Sequence, residues 1–103
     1  MAQETENNTG VQERSATRVK KPAMYRVILH NDDYTPMEFV VEILIKVFRH
    51  PLGKASKIMM QVHKENRAQV GVYTYDIAAT KVSQTRDLAK RNEYPLKATV
   101  EKA

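Results

Sequence analysis

Apolar and polar positions alternate along residues 24–30, MYRVILH, so that Tyr25, Val27 and Leu29 share one face. Period two carried by β-branched and aromatic residues predicts a strand. Asn31-Asp32-Asp33 ends it, because Asn and Asp bond their own backbone and favour turns. The period then changes. Thr35-Pro36-Met37-Glu38 offers a capping hydroxyl, a proline suited to the first helical position and an acid three residues after the cap. This capping box predicts a helix running to about Arg49. Its apolar stripe is Val40, Val41, Leu44, Ile45, Val47 and Phe48, with Glu42 and Lys46 as an outward pair. His50-Pro51-Leu52-Gly53 breaks the pattern. A second helix is predicted from about Lys54 to Glu65, with Ala55, Ile58, Met59, Val62 and His63 on one face. Residues 67–74, RAQVGVYT, predict a second strand. A third helix spans about Tyr75 to Asn92, with a weaker stripe through Ile77, Ala78, Val82, Thr85, Leu88 and Ala89. After Pro95, residues 96–101 alternate again and predict a third strand. The order β-α-α-β-α-β predicts an α+β fold, a small three-stranded antiparallel sheet with three helices on one face.

Residues 1–21 hold almost nothing to bury: beyond Met1, Val11, Val19 and small alanines are their only apolar groups. Burial there cannot offset chain entropy, so a flexible N-terminal extension is expected. Pro22 marks the start of the folded domain, residues 22–103. Twenty-one residues is long for a frayed end and leaves room for a functional tail.

Composition narrows the function classes. A chain of 103 residues makes one small domain. It has no cysteine, which excludes disulfide staples, Cys-ligated metals and thiol chemistry. Seventeen basic against twelve acidic residues give a net charge of +5, and the pI near 9.6 raises nucleic acid as a partner. The cations are scattered, however. Lys20-Lys21 and Lys90-Arg91 are the densest groups, and no aromatic platform flanks either. A small basic α+β nucleic-acid-binding domain therefore stands as the alternative reading. No apolar run approaches the roughly 18–20 residues of a membrane span. Glu4 and Glu6 precede any basic residue, which fits neither a signal nor a transit peptide; a cytoplasmic protein is expected.

Phosphate-loop, dinucleotide, zincin and nucleophile-elbow motifs are all missing. The candidates for chemistry are the acidic turn and His63. Asp32 and Asp33 also suit a turn at a helix N-terminus on structural grounds alone. His63, Met37, Met59 and Met60 equally suit packing on an apolar face, and His30 and His50 read as structural. A metal or hydrolytic site at Asp32, Asp33 and His63 has too few ligands and no evident nucleophile. No enzyme activity, cofactor or metal is expected.

The string VILHNDDYTPMEFVVEIL resembles the signature of the ClpS family, adaptors of the bacterial Clp AAA+ protease. MMQVHKEN, GVYTYDIAATK and NEYPLKATVEKA resemble three further blocks of that family in the same order, so the likeness covers residues 22–103. It implies a binding module that holds the free N-terminus of proteins beginning with Leu, Phe, Tyr or Trp and delivers them to the Clp ATPase–protease. By the same resemblance Asn31, Asp33 and His63 contact the α-ammonium, with Asp32 adding charge or touching the next backbone unit. Met37, Val40, Met59, Val62 and Leu96 line the side-chain pocket, Thr35 stands at its edge, and Met37 crowds the ligand's Cβ. Tyr75, Asp76 and Lys81 fall where the family meets the ATPase's N-terminal domain. The family commonly has Glu at the place of Asp76, a Gly shortly after the histidine where Lys64-Glu65-Asn66 stand, and an apolar residue at His30. The implied partners are that ATPase domain and N-degron substrates, with no nucleic acid or membrane and a monomeric state.

Overall fold

The computed structural model describes residues 21–103. The extension expected over 1–21 therefore lies, apart from Lys21, outside the described residues. The elements are β1 (Met24–His30), α1 (Met37–Lys46), α2 (Leu52–Glu65), β2 (Arg67–Thr74), α3 (Tyr75–Arg91) and β3 (Lys97–Lys102). The strands form one antiparallel sheet in the order β2-β1-β3, so the first strand is central and the other two flank it.

The alternation in β1 sorts its side chains to two faces. Val27 and Leu29 are fully buried in the core with residues of all three helices, and Tyr25 packs against that core. Arg26 and His30 alternate with them on the opposite face, where Glu101 takes Arg67 at 2.5 Å and lies 3.5 Å from Arg26. The register of β2 slips by one between Val27 and Ile28, which pair with Gly71 and Gln69 and leave Val70 as the extra residue. The Nε2–H of His50 donates to the carbonyl of that bulged Val70 at 2.6 Å, which gives His50 its structural role. Gly71 leaves room for the Tyr73 ring: a Cβ there would run into its hydroxyl and stand 2.6 Å from Cζ, so the ring would have to move.

Four local expectations are corrected. Thr35 is not the cap of α1. Its amide and hydroxyl are both turned back to Asp32, so Pro36 takes the N-cap place with no side-chain bond, and its carbonyl accepts the amides of Phe39 and Val40. The helix ends at Lys46 rather than Arg49. Beyond Val47 the bonds widen, Phe48 to Ile43 and His50 to Leu44, and Arg49 turns the chain at φ 60°. The buried stripe of α1 includes Phe39 and Ile43 in place of Val41 and Ile45, because Phe39 meets Tyr94 edge-on at 4.8 Å under the entry to β3. Leu52 and Gly53 belong to α2, since the Pro51 carbonyl accepts the Ala55 amide and starts that helix earlier.

Lys81 ties the helical layer together. Its ammonium donates to the carbonyl of Val47 at 2.8 Å, at the C-terminal end of α1. It also lies 5.8 Å from the centre of the Phe48 ring and 5.4 Å from that of Tyr73. A cation on a helix's last carbonyls satisfies an orphan acceptor and the negative end of the dipole together.

Candidate functional site

The loop between β1 and α1 and one face of α2 enclose a cavity of about 250 Å³. Its position follows from two anchors. The amide of Asn31 donates to the carbonyl of Asn66 at 2.8 Å, which ties the end of β1 to the end of α2. Asn66 closes α2 at φ 69°, a left-handed conformation that Asn tolerates, so that β2 can start at once. His63 stands one turn before that closure, and Asn31 and His63 both line the cavity.

The second anchor is Asp32. Its Oδ1 accepts the amides of Tyr34 and Thr35 at 2.8 and 2.7 Å, and its Oδ2 accepts the Thr35 hydroxyl at 2.8 Å. Asp32 therefore spends its carboxylate on the loop itself. Asp33, Asn31 and His63 are exposed, and among the described residues their side chains have no hydrogen-bond partner. Three polar groups able to accept a proton donor thus line the cleft together with Met37, Val40, Met59 and Val62. Val40 and Val62 form its buried wall, at 6% and 2% exposure, while Met59 is half-buried and Met37 lies exposed at the start of α1.

Nine of the ten residues expected at the site, from Asn31 to His63, line this cavity. Leu96 does not: it is buried in the main core before β3. Tyr75, Asp76 and Lys81 lie elsewhere, along the start of α3. Tyr75 is exposed and meets Tyr25 edge-on at 5.2 Å, and Asp76 is exposed in the first turn. Asn66 is one of the three residues that stand where the family commonly has a Gly, and it takes the left-handed conformation that ends α2. Among the described residues no three His, Asp or Glu side chains gather to hold a metal ion, and no helix is long and apolar enough to cross a membrane.

The family model described as the ATP-dependent Clp protease adaptor protein ClpS matches residues 20–99. This chain belongs to the ClpS family. An ATP-dependent Clp protease adapter protein ClpS of Maricaulis maris is 50% identical over 97 residues, covering 94% of this chain and 89% of its own length. One of Syntrophus aciditrophicus is 51% identical over 84 residues, 82% of this chain and 78% of its own. Among solved structures, Agrobacterium tumefaciens ClpS2 bound to L-phenylalaninamide superposes with a TM-score of 0.78 at 42% identity, covering 81% of this chain and all of that one. ClpS membership makes the chain a Clp protease adaptor.

Proposed function

We propose that the cleft holds the free N-terminal residue of a substrate protein, and that the chain delivers such proteins to the Clp ATPase for degradation. One observation carries this reading: a single cavity is lined by Met37, Val40, Met59 and Val62 and by Asn31, Asp33 and His63, whose side chains have no hydrogen-bond partner among the described residues. A primary ammonium donates three hydrogen bonds, and those groups can each accept one. The apolar wall suits a Leu, Phe, Tyr or Trp side chain, and thioethers adapt to all four. Charge-assisted bonds contribute roughly 1.5–3 kcal/mol each and burial of one such side chain roughly 1.5–3 kcal/mol. After the cost of association, roughly −7 to −9 kcal/mol remains, a micromolar to sub-micromolar Kd. The bound phenylalaninamide of the Agrobacterium relative, a free amine beside an aromatic side chain, supports the same ligand class.

In this reading residues 22–103 are the binding domain, residues 1–21 serve delivery, and Tyr75, Asp76 and Lys81 meet the N-terminal domain of the ATPase. The protein acts as an adaptor in the cytoplasm, without catalysis of its own. The test is calorimetric titration with peptides beginning with Phe, their α-amine free or acetylated. The free peptide binds and the acetylated one loses most of its affinity. Asn31→Ala and His63→Ala each cost about 1–3 kcal/mol of binding. Equal binding of the two peptides would overturn the assignment.

A further inference from the structure

A second, larger cavity of about 370 Å³ lies away from the cleft, between the C-terminal end of α1 and the flank of α3. The cations are scattered in sequence, but the fold gathers four of them here. Lys46 and Arg49 come from the end of α1, and Lys81 and Arg91 from α3. The one acid on its walls is Asp87. Lys46 is shared with Glu42 at 2.6 Å, and Lys81 is fixed on the Val47 carbonyl. Arg49 and Arg91 are exposed and, among the described residues, pair with no acid. Arg49 is also held at φ 60°, where glycine would be relaxed, so its guanidinium is placed at this rim against the local backbone preference.

We propose that this groove binds a short acidic segment of a partner protein. Its shape fits an extended peptide. Lys81, Gln84, Leu88 and Arg91 run along one flank of α3, a distance of about 15 Å from first to last, which an extended chain of about five residues spans. Its floor fits a peptide as well. Val47 and Leu88 offer apolar contact between the charges, and Asp87 with Gln84 can take backbone amides. A nucleic acid is disfavoured by the same wall: no lining residue is aromatic, so bases have nothing to stack on, and the Asp87 carboxylate opposes a continuous phosphate chain. The site is separate from the N-terminal cleft; it shares only Lys81 with the face proposed to meet the ATPase, and its test uses Arg49 and Arg91 instead.

The experiment follows amide resonances of the full chain during titration with acetyl-Asp-Glu-Leu-Asp-Glu-amide, whose blocked amine cannot use the cleft. Saturable shifts at Val47, Arg49, Leu88 and Arg91 are expected, weakened by added salt. The peptide with Asn and Gln in place of its acids binds at least about tenfold more weakly, because its contacts are no longer charge-assisted. Arg49→Gly with Arg91→Gln removes both guanidinium groups while relaxing the backbone at 49, and loses at least about tenfold in affinity for the acidic peptide. The same double variant binds a peptide with a free N-terminal Phe as the wild type does, which keeps the two sites' tests apart. No saturable binding of the acidic peptide, equal binding of its amide twin, or tighter binding of a single-stranded oligonucleotide overturns the proposal. The wild-type comparison of the two peptides decides it even if the double variant does not fold.

Discussion

Asp32 and Thr35 are bonded twice, through the amide and the hydroxyl of Thr35 to the two oxygens of one carboxylate. The contact shapes the loop that presents Asn31 and Asp33, and it displaces Thr35 from the cap of α1. A carboxylate used this way acts on the ligand through geometry more than through charge. Asp32→Ala removes all three internal bonds and is expected to cost about 1–3 kcal/mol of stability, with weaker binding of a Phe-initiated peptide. Asp32→Asn keeps the acceptor for both amides and can donate to the Thr35 hydroxyl, so it restores most of both. Urea titration beside peptide titration checks this; an Asn variant as poor in binding as the Ala variant would mean that the charge itself is needed.

Met37 stands at the first position of α1, exposed at the mouth of the cleft. Side chains branched at Cβ are stiff there and meet this thioether first. Peptides beginning with Leu or Phe are expected to bind well, and those beginning with Ile or Val poorly. Met37→Ala admits the latter two. An Ile-to-Leu affinity ratio unchanged by the substitution would remove Met37 from the selectivity.

His30 sits across the sheet from two cations, paired with Arg67 on one side and Lys97 on the other. Burial first, then those two charges, hold its pKa below the ordinary value of 6.5, with Glu101 opposing them. The ring accepts or donates at Thr99 at 2.7 Å. A lowered folded pKa means that the unfolded chain binds the extra proton more readily. The contribution to stability is therefore full above pH 6.5 and is lost as pH falls through the folded value. Thermal unfolding followed across this range is expected to show a slope that His30→Gln flattens. An identical slope in the two proteins would place the titration elsewhere.

Much of this was legible in the chain, for reasons that differ by element. β1 and β2 show their bounds because period two and β-branched residues act locally, and turn residues flank them. The residues alone marked the acidic turn and His63 as candidates; Met37, Val40 and the rest of the cleft wall came only with the family resemblance, which short contiguous runs carry. The start of α1 was not, since Thr35 had two competing partners and sequence spacing does not rank Glu38 against Asp32. The burial of Leu96 was not legible either, since it depends on how the chain enters β3 beside Tyr94 and Phe39, a tertiary contact. The basic groove was invisible because Lys46 and Arg49 lie more than thirty residues from Lys81, and only the packing of α3 beside α1 makes them neighbours.

Lys81 has two accounts that make different predictions. As a surface contact with the ATPase its ammonium must reach outward, yet it is half-buried, bonded to the Val47 carbonyl and set over two aromatic rings. Lys81→Met keeps the apolar stem and removes the ammonium, leaving that carbonyl without its donor. The expected loss of stability is about 1–3 kcal/mol, from the charged hydrogen bond and the ring contacts together. Asp76 is the control. It is exposed at the first turn of α3, where a carboxylate favours the dipole by less than about 1 kcal/mol, so Asp76→Ala changes stability little. If the start of α3 is the docking face, Asp76→Ala weakens binding to the isolated N-terminal domain of the ATPase with the fold intact. Lys81→Met weakens it together with a lower unfolding midpoint. Chemical denaturation and a docking titration on both variants separate the accounts. Weakened docking of Lys81→Met at unchanged stability would show that the ammonium works outward, and that its bond to Val47 contributes nothing to the joint between α1 and α3.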